Sequence, residues 1–476
     1  MGKNFGVVVC LLGVGLFLCL AGAQISQSKA AGLTDVASAA SAYPAEHWKN
    51  ALLYSPYSAG SHVAIAFDPD HYQDAWVSFY NETDGDLWAA HYIGAVAGNC
   101  GPNNSWWCEV VDRVASESKG LYSSIDGHPD TNPDPGLTTW KVGISYYDAT
   151  HKSLKYAQHR CPVIGDCFWS KYTVHSPVNA GDNFGQYSSL EFDSTGIAHI
   201  AYYSILDTGS GNFMYSLTHA HFAGGSTGNC GDDDDWQCEY IDWDASPDPG
   251  LYPSLDIDWD DRIYIAYYNG INQRLMLVTD FGGTDNCGQD TYWFCEAIDD
   301  PAGANVGLFP SMAAPHDTED IERIAYYDTT NGSLKIAYPL GGSGGNCGQS
   351  DSWQCSVIDS MGAGRTWASI SMAVDSLHHA MIAYSRFAGE PIASLSLRVA
   401  ELAEGQPYAN CGGGSWWCGT LDSGSSFADQ GKYLALGIKP GGLAMIAYSS
   451  WVNNDNAYNL RFAYQEAWIF LPLIRK

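Results

Sequence analysis

The stretch Ile265-Ala266-Tyr267-Tyr268-Asn269 returns with small changes along the whole 476-residue chain. Six further copies, spaced 56 to 67 residues apart, occupy positions 77–81, 144–148, 200–204, 324–328, 382–385 and 446–449. β-Branched and aromatic residues favour strands, and self-similarity at a fixed period is typical of repeat architectures. The sequence therefore predicts seven copies of one strand, each inside a repeat of about sixty residues.

The parts around this strand keep one order in every repeat. An aromatic-x-Ser-aliphatic strand such as 187–190 comes before it, and a strand such as 334–337 follows. An Asn-Cys-Gly loop then leads to a Trp-x-Cys strand ending in Asp, as at 236–242. Four short strands joined by tight turns predict a four-stranded antiparallel blade. The expected fold class is all-β, a seven-bladed β-propeller of four-stranded antiparallel blades. A linear solenoid is the alternative, but its repeats are usually shorter and need end caps.

Twelve of the 14 cysteines form six close pairs, one in each of six repeats. Even count and local pairing predict intra-blade disulfides at the hairpin between the third and fourth strands, each worth roughly 2–3 kcal/mol. Zinc is the rival interpretation, but zinc ligands are usually spaced two to four residues apart. The predicted pairs are Cys100–Cys108, Cys161–Cys167, Cys230–Cys238, Cys287–Cys295, Cys347–Cys355 and Cys411–Cys418.

The N-terminus predicts export. Lys3 precedes an apolar run at 7–20, and Ala21-Gly22-Ala23 is a small-residue cleavage site, so residues 1–23 are interpreted as a signal peptide. A membrane anchor is the alternative, but the run is short for a span. Residues 24–45 are expected to be a flexible leader and 46–476 a single propeller domain. With the disulfides, this predicts a secreted, extracellular or cell-surface protein with no membrane span.

The two ends of the chain are expected to close the ring. The seventh repeat lacks a cysteine pair, and residues 48–54 match the form of a last strand, so this segment is a candidate outer strand of the seventh blade. The apolar run 468–474 competes for the same place, and its Pro472 suits an edge strand. The sequence leaves both options open.

Charge excludes two classes of partner. Acidic residues outnumber basic ones 53 to 22, which gives a formal net charge of -31. Phosphate backbones and anionic lipids repel such a chain, so neither nucleic acid nor bare membrane is expected as a partner. We expect a monomer whose partner is a carbohydrate or another extracellular polymer.

The repeat motifs resemble those of secreted bacterial β-propeller proteins, grouped loosely with sialidase-like and lectin-like propellers. The resemblance rests on the aromatic-x-Ser-aliphatic, Ile-Ala-Tyr-Tyr-Asp and Leu-Lys-Tyr-Ala series and covers about residues 46–470. It implies the propeller fold and says little about activity. The sialidase Asp box, Ser-x-Asp-x-Gly-x-Thr-Trp, does not occur in this sequence.

The first residue of each aromatic-x-Ser-aliphatic strand is a candidate ligand contact. First strands line the channel of a propeller, so this residue, here called the mouth position, is expected near one channel mouth. Aromatic rings stack on sugars, and their OH and NH groups add hydrogen bonds. Packing between blades is the alternative interpretation. The first and sixth members break the tyrosine pattern and are the favoured binding residues among His62, Tyr122, Tyr187, Tyr252, Phe309, Trp367 and Tyr433.

Other candidates are weaker. No catalytic constellation is identifiable and no cofactor is expected, although three acidic runs offer oxygen ligands for a structural Ca²⁺. Asp at turns commonly caps its own backbone, which is the alternative for these runs. An insertion in the second repeat, 127–135, is a further site candidate because non-repeated loops often carry function. The acidic runs are Asp68/Asp70/Asp74, Asp232–Asp235 and Asp256/Asp258/Asp260/Asp261.

Three functions follow from these features. The leading hypothesis is a secreted binding module for carbohydrate or another extracellular polymer. The alternative is a glycoside hydrolase or lyase with its site at a channel mouth. A structural surface or matrix protein is the third.

Overall fold

Short β-branched and aromatic runs separated by polar turns form 28 strands, and these make seven separate four-stranded sheets. The computed structural model describes residues 47–55, 58–67, 75–94, 97–129, 140–162, 165–281, 286–288, 292–362, 368–388, 394–423, 429–439, 442–452 and 457–466. The predicted signal peptide and leader, and the run 468–474, lie outside these residues.

Every sheet is antiparallel, and six of the seven keep their strands in chain order, which confirms the predicted blades; in the seventh sheet the N-terminal strand is outermost. Blade one holds β2 (Ala59–Phe67), β3 (Ala75–Asn81), β4 (Asp86–Tyr92) and β5 (Trp106–Asp112). Blade two holds β6 (Lys119–Pro129), β7 (Trp140–Asp148), β8 (Ser153–Arg160) and β9 (Phe168–His175). Blade three holds β10 (Asn183–Phe192), β11 (Ala198–Gly209), β12 (Asn212–Phe222) and β13 (Trp236–Asp244).

The remaining blades follow the same plan. Blade four holds β14 (Leu251–Ile257), β15 (Ile263–Asn269), β16 (Arg274–Thr279) and β17 (Phe294–Asp299). Blade five holds β18 (Val306–Ala313), β19 (Arg323–Asp328), β20 (Ser333–Pro339) and β21 (Trp353–Ser360). Blade six holds β22 (Ile370–Val374), β23 (Ala380–Ala388), β24 (Ser394–Leu402) and β25 (Trp416–Ser423). Blade seven holds β26 (Gln430–Ile438), β27 (Ala444–Val452), β28 (Ala457–Gln465) and β1 (Trp48–Tyr54).

The N-terminal strand closes the ring, which is one of the two options that the sequence left open. β1 pairs antiparallel with β28, from Trp48 opposite Gln465 to Tyr54 opposite Leu460. Trp48 Nε1 also donates a hydrogen bond to Glu401 Oε1 of blade six at 3.1 Å. Burial raises the pKa of Glu401 to about 7. A strand from the start of the chain therefore completes the blade that the end of the chain began.

All six predicted disulfides are present, with sequence separations of 6 to 8 residues. In five blades the disulfide joins the loop before the fourth strand to that strand, and in blade two it lies within the loop between the third and fourth strands. Each disulfide therefore fastens the connection that leads into the outer strand. Six disulfides are typical of an oxidising, extracellular compartment. The described residues contain only short 3₁₀ turns as helices, and none of these could cross a membrane.

Paired side chains join neighbouring blades behind the channel. At five interfaces a tyrosine of the second strand donates its OH to the aspartate of the previous blade's outer strand, at 2.5–2.7 Å. Tyr202 instead meets His175 Nδ1 at 2.7 Å, and Phe79 packs against Tyr54 with ring centroids 5.7 Å apart. The aspartate that ends the repeat motif thus has a structural partner one blade along.

Candidate functional site

The first strands of all seven blades line a central channel. A cavity of about 250 Å³ lies among the mouth positions, here called the aromatic mouth. A second cavity of about 360 Å³ lies further along the same strands, here called the acidic end. Residues of a strand alternate between its two faces, so the mouth position and the residues two and four later share the channel side.

Serines two residues after the mouth position hold neighbouring first strands together. Ser124 Oγ accepts a hydrogen bond from Leu190 N at 3.1 Å, and Ser189 Oγ accepts one from Leu255 N at 3.0 Å. The Oγ atoms of Ser254, Ser311 and Ser371 likewise each accept a hydrogen bond from a backbone N of the following blade, at 2.9 Å. The Ser of the repeat motif is therefore a structural residue that bonds backbone.

The structure brings six of the seven predicted mouth residues into one chain of ring contacts. Successive ring centroids lie 4.4–4.7 Å apart, and every ring is half-buried. We call this set the aromatic ring: His62, Tyr122, Tyr187, Tyr252, Phe309 and Tyr433.

Blade six departs from the predicted alignment. Ser371 pairs with Ala383 as Ser189 pairs with Ala201, so the mouth position of blade six is Ser369. Trp367 stands two residues earlier and lies outside the described residues. A shift of two residues preserves the face that a strand side chain occupies, so the sequence pattern did not reveal the error.

Five members of the aromatic ring have an unusual backbone. His62, Tyr122, Tyr187, Tyr252 and Phe309 have φ values of 50–58°, in the left-handed region. Such a conformation costs about 1–3 kcal/mol for a bulky residue and tends to persist where it serves a function. Each of these residues stands in a register shift of its first strand, which directs its ring to the mouth.

A glycine two residues before the mouth position permits this close arrangement. Gly185 has a φ of 107°, and a Cβ there would lie 2.7 Å from Leu154 Cα of the previous blade. A side chain at this point would separate the two blades. The motif Gly-x-aromatic is therefore the local signal for a mouth residue.

The polar atoms of the aromatic ring are neutral and partly joined to one another. Tyr122 donates a hydrogen bond to Tyr187, and Tyr187 donates one to Tyr252. Burial raises the pKa of Tyr187 to about 12. Burial, helped by the nearby charge of Lys432, lowers the pKa of His62 to about 3. At neutral pH the aromatic mouth thus offers uncharged donors and acceptors.

Three carboxyl groups come together at the acidic end; Asp256 was named from the sequence only as part of an acidic run, and the other two were missed. Asp126, Glu191 and Asp256 stand four residues after the mouth position in blades two, three and four. The four other blades carry Ala66, Ala313, Ala373 and Gly437 at this place. We call the three carboxyl groups the acidic cluster. Its signal is an acid at one repeat position in three consecutive repeats.

Two of these carboxyl groups have a structural task and one does not. Asp126 Oδ2 accepts a hydrogen bond from Phe192 N, and Asp256 Oδ2 accepts one from Ala314 N, both at 2.9 Å. Glu191 has no backbone partner of this kind within the described residues; its carboxyl group shares a hydrogen bond with that of Asp126. Glu191 is the member most open to chemistry.

Burial shifts the proton affinities of the whole acidic cluster upward. It raises the pKa of Asp126 to about 7 and raises those of Glu191 and Asp256, with the neighbouring carboxyl charges adding to the effect. Like charges near one another cannot all ionise cheaply, so a proton is held between Glu191 and Asp126 near neutral pH.

Described members of the acidic runs accept hydrogen bonds from backbone N–H groups, either within a turn or from a neighbouring blade. Asp232 Oδ2 accepts a hydrogen bond from Thr173 N, and Asp258 Oδ1 accepts ones from Asp260 N and Arg262 N. The run at 68–74 lies outside the described residues, as does most of the blade-two insertion, of which only 127–129 is described, as the end of β6. Within the described part of the chain, two groups of three ligand-type side chains come together, His159/Cys161/Cys167 and Glu117/Asp148/His151. The first contains a disulfide, and neither includes a member of these runs.

Comparisons with known proteins give distant structural likeness. No family model matches the sequence, and no curated protein matches it. A protein of unknown function from Dyadobacter fermentans is similar at 10% identity and a TM-score of 0.42, over 89% of this chain and 100% of that one. The Aleuria aurantia lectin, solved with alpha-methyl-L-fucoside, is similar at 12% identity and a TM-score of 0.38, over 79% and 98%. The polysaccharide lyase Uly1 is similar at 8% identity and a TM-score of 0.37, over 71% and 90%.

Proposed function

We propose that this chain is a secreted carbohydrate-binding module whose ligand site is the aromatic mouth. The observation that carries the proposal is the convergence of six aromatic side chains on one cavity. The ring faces supply apolar surface for a sugar ring, and the tyrosine OH groups and His62 supply hydrogen bonds to its hydroxyls.

The cavity also favours the kind of sugar. Its described lining contains aromatic, serine, proline and aliphatic residues but no charged side chain. A neutral saccharide loses no charge solvation on entering such a site, whereas a charged one would. The proposed ligand of the aromatic mouth is therefore a neutral saccharide.

The remaining expectations belong to the same proposal. Residues 1–23 act as the signal peptide, 24–45 as a leader, and 46–476 as one domain that works as a monomer. The sequence resemblance to sialidase-like and lectin-like propellers supports an extracellular role. Export would place the disulfides in the compartment that maintains them.

A glycan array followed by calorimetric titration tests the proposal. We expect the secreted protein to bind neutral glycans, and Tyr187→Ala to weaken that binding at least tenfold because it removes the ring between Tyr122 and Tyr252. Tyr292→Ala is the matched control, since Tyr292 is 69% exposed and does not line the cavity. No binding to any neutral glycan, or equal losses in the two variants, would reject the site.

The acidic cluster supports a second candidate, a glycoside hydrolase or lyase acting at the acidic end. Burial raises the pKa of both Glu191 and Asp126, and the two carboxyl groups share a hydrogen bond, so the pair holds a proton near neutral pH. A protonated carboxyl beside a second carboxyl group is the pair that general acid and base chemistry on glycosides requires. Polysaccharide turnover by the wild type that Glu191→Gln abolishes would support this candidate; turnover that survives the substitution would reject this site.

A further inference from the structure

The disulfide of blade two lacks a clamp that the other five disulfides share. In those five blades an asparagine directly precedes the first cysteine and bonds the backbone of the second. Its Nδ2 donates to the cysteine O at 2.8–3.1 Å, and its Oδ1 accepts from the cysteine N at 2.7 Å. These residues are Asn99, Asn229, Asn286, Asn346 and Asn410. The clamp keeps the two cysteines close if the S–S bond opens, which favours its reformation.

Arg160 takes the place of the asparagine in blade two. A guanidinium group carries donors and no acceptor, so it offers nothing to which the Cys167 N–H could donate. Arg160 Nη2 donates instead to Gln158 Oε1 and to Tyr172 OH, both at 3.3 Å. The two-way clamp of the other blades therefore cannot form in blade two.

A tryptophan closes the same loop in the five clamped blades. It stands two residues before the second cysteine, and its O accepts a hydrogen bond from the N of the first cysteine at 3.0–3.2 Å. All five are buried: Trp106, Trp236, Trp293, Trp353 and Trp416. Blade two has the exposed Gly165 at this point, and a Cβ there would meet no described atom within 4 Å beyond its chain neighbours. The blade-two loop thus has open space where the other loops have a packed ring.

Cys167 is the one exposed cysteine among the paired cysteines, all of which the structure describes. The second cysteines of the other five blades are buried or, at Cys295, part-buried. Thiol–disulfide exchange requires a thiolate to reach a sulfur atom, and exposed disulfides are more labile than buried structural ones. An external thiolate can therefore attack at Cys167.

His159 stands beside the other sulfur atom of this disulfide. Its Nδ1 lies 3.7 Å from Cys161 Sγ, and its ring packs against Trp76 and Trp169, with centroids 4.8 and 4.9 Å away. Burial lowers the pKa of His159 to about 4, so the ring is neutral near pH 7. A hydrogen bond from a ring N–H stabilises a thiolate, which makes Cys161 the better leaving group of the pair.

We propose that the Cys161–Cys167 disulfide is a thiol-exchange site that takes up a small thiol such as glutathione. The thiolate attacks Cys167 Sγ, where a new S–S bond forms as the Cys161–Cys167 bond breaks. The electron pair of the broken bond leaves on Cys161 Sγ, a thiolate that accepts a hydrogen bond from His159. One disulfide replaces another, so the step needs no reactant besides the thiol. This site goes beyond the proposed function, because it lies between the third and fourth strands of blade two, away from the channel.

Timed exposure of the secreted protein to reduced glutathione at pH 8, stopped with iodoacetamide and followed by peptide mass spectrometry, tests the proposal. We expect glutathione on Cys167 and the alkyl label on Cys161, about tenfold faster than any reaction at the other five pairs. The pair Cys287–Cys295 is the internal control, because both its cysteines are part-buried but clamped by Asn286. Equal rates at the two pairs, or glutathione first on Cys161, would overturn the proposal.

Two variants separate the causes, and the comparison within the wild type does not depend on either of them folding. His159→Phe keeps a ring against Trp76 and Trp169 but removes the nitrogen, so we expect uptake of glutathione to be about threefold slower. An unchanged rate would overturn the role of His159 in the step. The double variant Cys161→Ser/Cys167→Ser should take up no glutathione in the same time, and uptake that persists would place the exchange at another pair.

Discussion

The two ends of the channel are made by the same seven strands, yet they differ in what the repeat supplies. The aromatic mouth uses a residue that six blades share, and its rings contact one another at 4.4–4.7 Å. The acidic end uses three carboxyl groups from blades two to four, where the other blades have Ala or Gly. The repeated aromatic residues pack against one another. The three non-repeated carboxyl groups are buried together, which lowers the free energy of unfolding.

Replacing a member of the aromatic ring should have the largest effect. Tyr187→Ala removes a half-buried ring that contacts rings on both sides, so we expect a loss of about 2–3 kcal/mol in the free energy of unfolding. Tyr187→Phe keeps the ring and removes only hydrogen bonds, so it should lose about 1 kcal/mol. Chemical denaturation of both variants measures this, and an Ala variant as stable as the wild type would show that the ring contacts contribute nothing.

Replacing Glu191, the central member of the acidic cluster, should raise the free energy of unfolding. A raised carboxyl pKa means that the folded state binds the proton more tightly, so stability is lost as pH rises from the ordinary range through the raised pKa. Glu191→Gln cannot ionise and can still donate to Asp126, so we expect a gain of about 1–2 kcal/mol at pH 8. Urea denaturation at pH 8 and pH 4 measures it. A loss of stability at pH 8 would show that the charge of Glu191 is needed by the fold.

The two ends should also respond to pH in opposite directions. The pKa of His62 falls to about 3, so the unfolded chain takes up this proton first and stability is lost as pH falls below about 6.5. The pKa of Asp126 rises to about 7, so stability is lost as pH rises from about 4 to 7. His62→Asn should flatten the acid side of a stability profile, and Asp126→Asn the neutral side. Profiles that both variants leave unchanged would contradict these assignments.

The serines between the two ends should give the smallest effect. Ser189 Oγ accepts one hydrogen bond from Leu255 N and lies at the acidic end, outside the aromatic mouth. Ser189→Ala should cost about 0.5–1 kcal/mol in unfolding free energy and leave glycan affinity unchanged. A large loss of affinity would mean that the ligand extends along the channel.

The sequence predicted the architecture because its signals are local and repeated. Seven copies of the Ile-Ala-Tyr-Tyr strand and close cysteine pairs determine blade number and disulfides, whereas closure was left open between residues 48–54 and 468–474. Blade six was misaligned because Trp367 precedes Ser369 by two residues, a shift that keeps the strand face, and because no Gly-x-aromatic motif marks the true position.

The acidic cluster depends on exceptions to the repeat, which a search for shared motifs passes over. Asp256 was counted with its neighbours in an acidic run, although its side chain occupies the channel while Asp258 caps a turn. Position-by-position alignment of the seven repeats reveals the cluster, since its three acids differ from their counterparts at one fixed place.

A crystal structure of the protein with the neutral glycan that binds it best would test the central claim, that the aromatic mouth is the ligand site. The account predicts a sugar ring within about 4 Å of Tyr122, Tyr187 or Tyr252, with its hydroxyls bonded to their OH groups or to His62. Clear density for the glycan at the acidic end or on the outer strands, with the aromatic mouth empty, would contradict it.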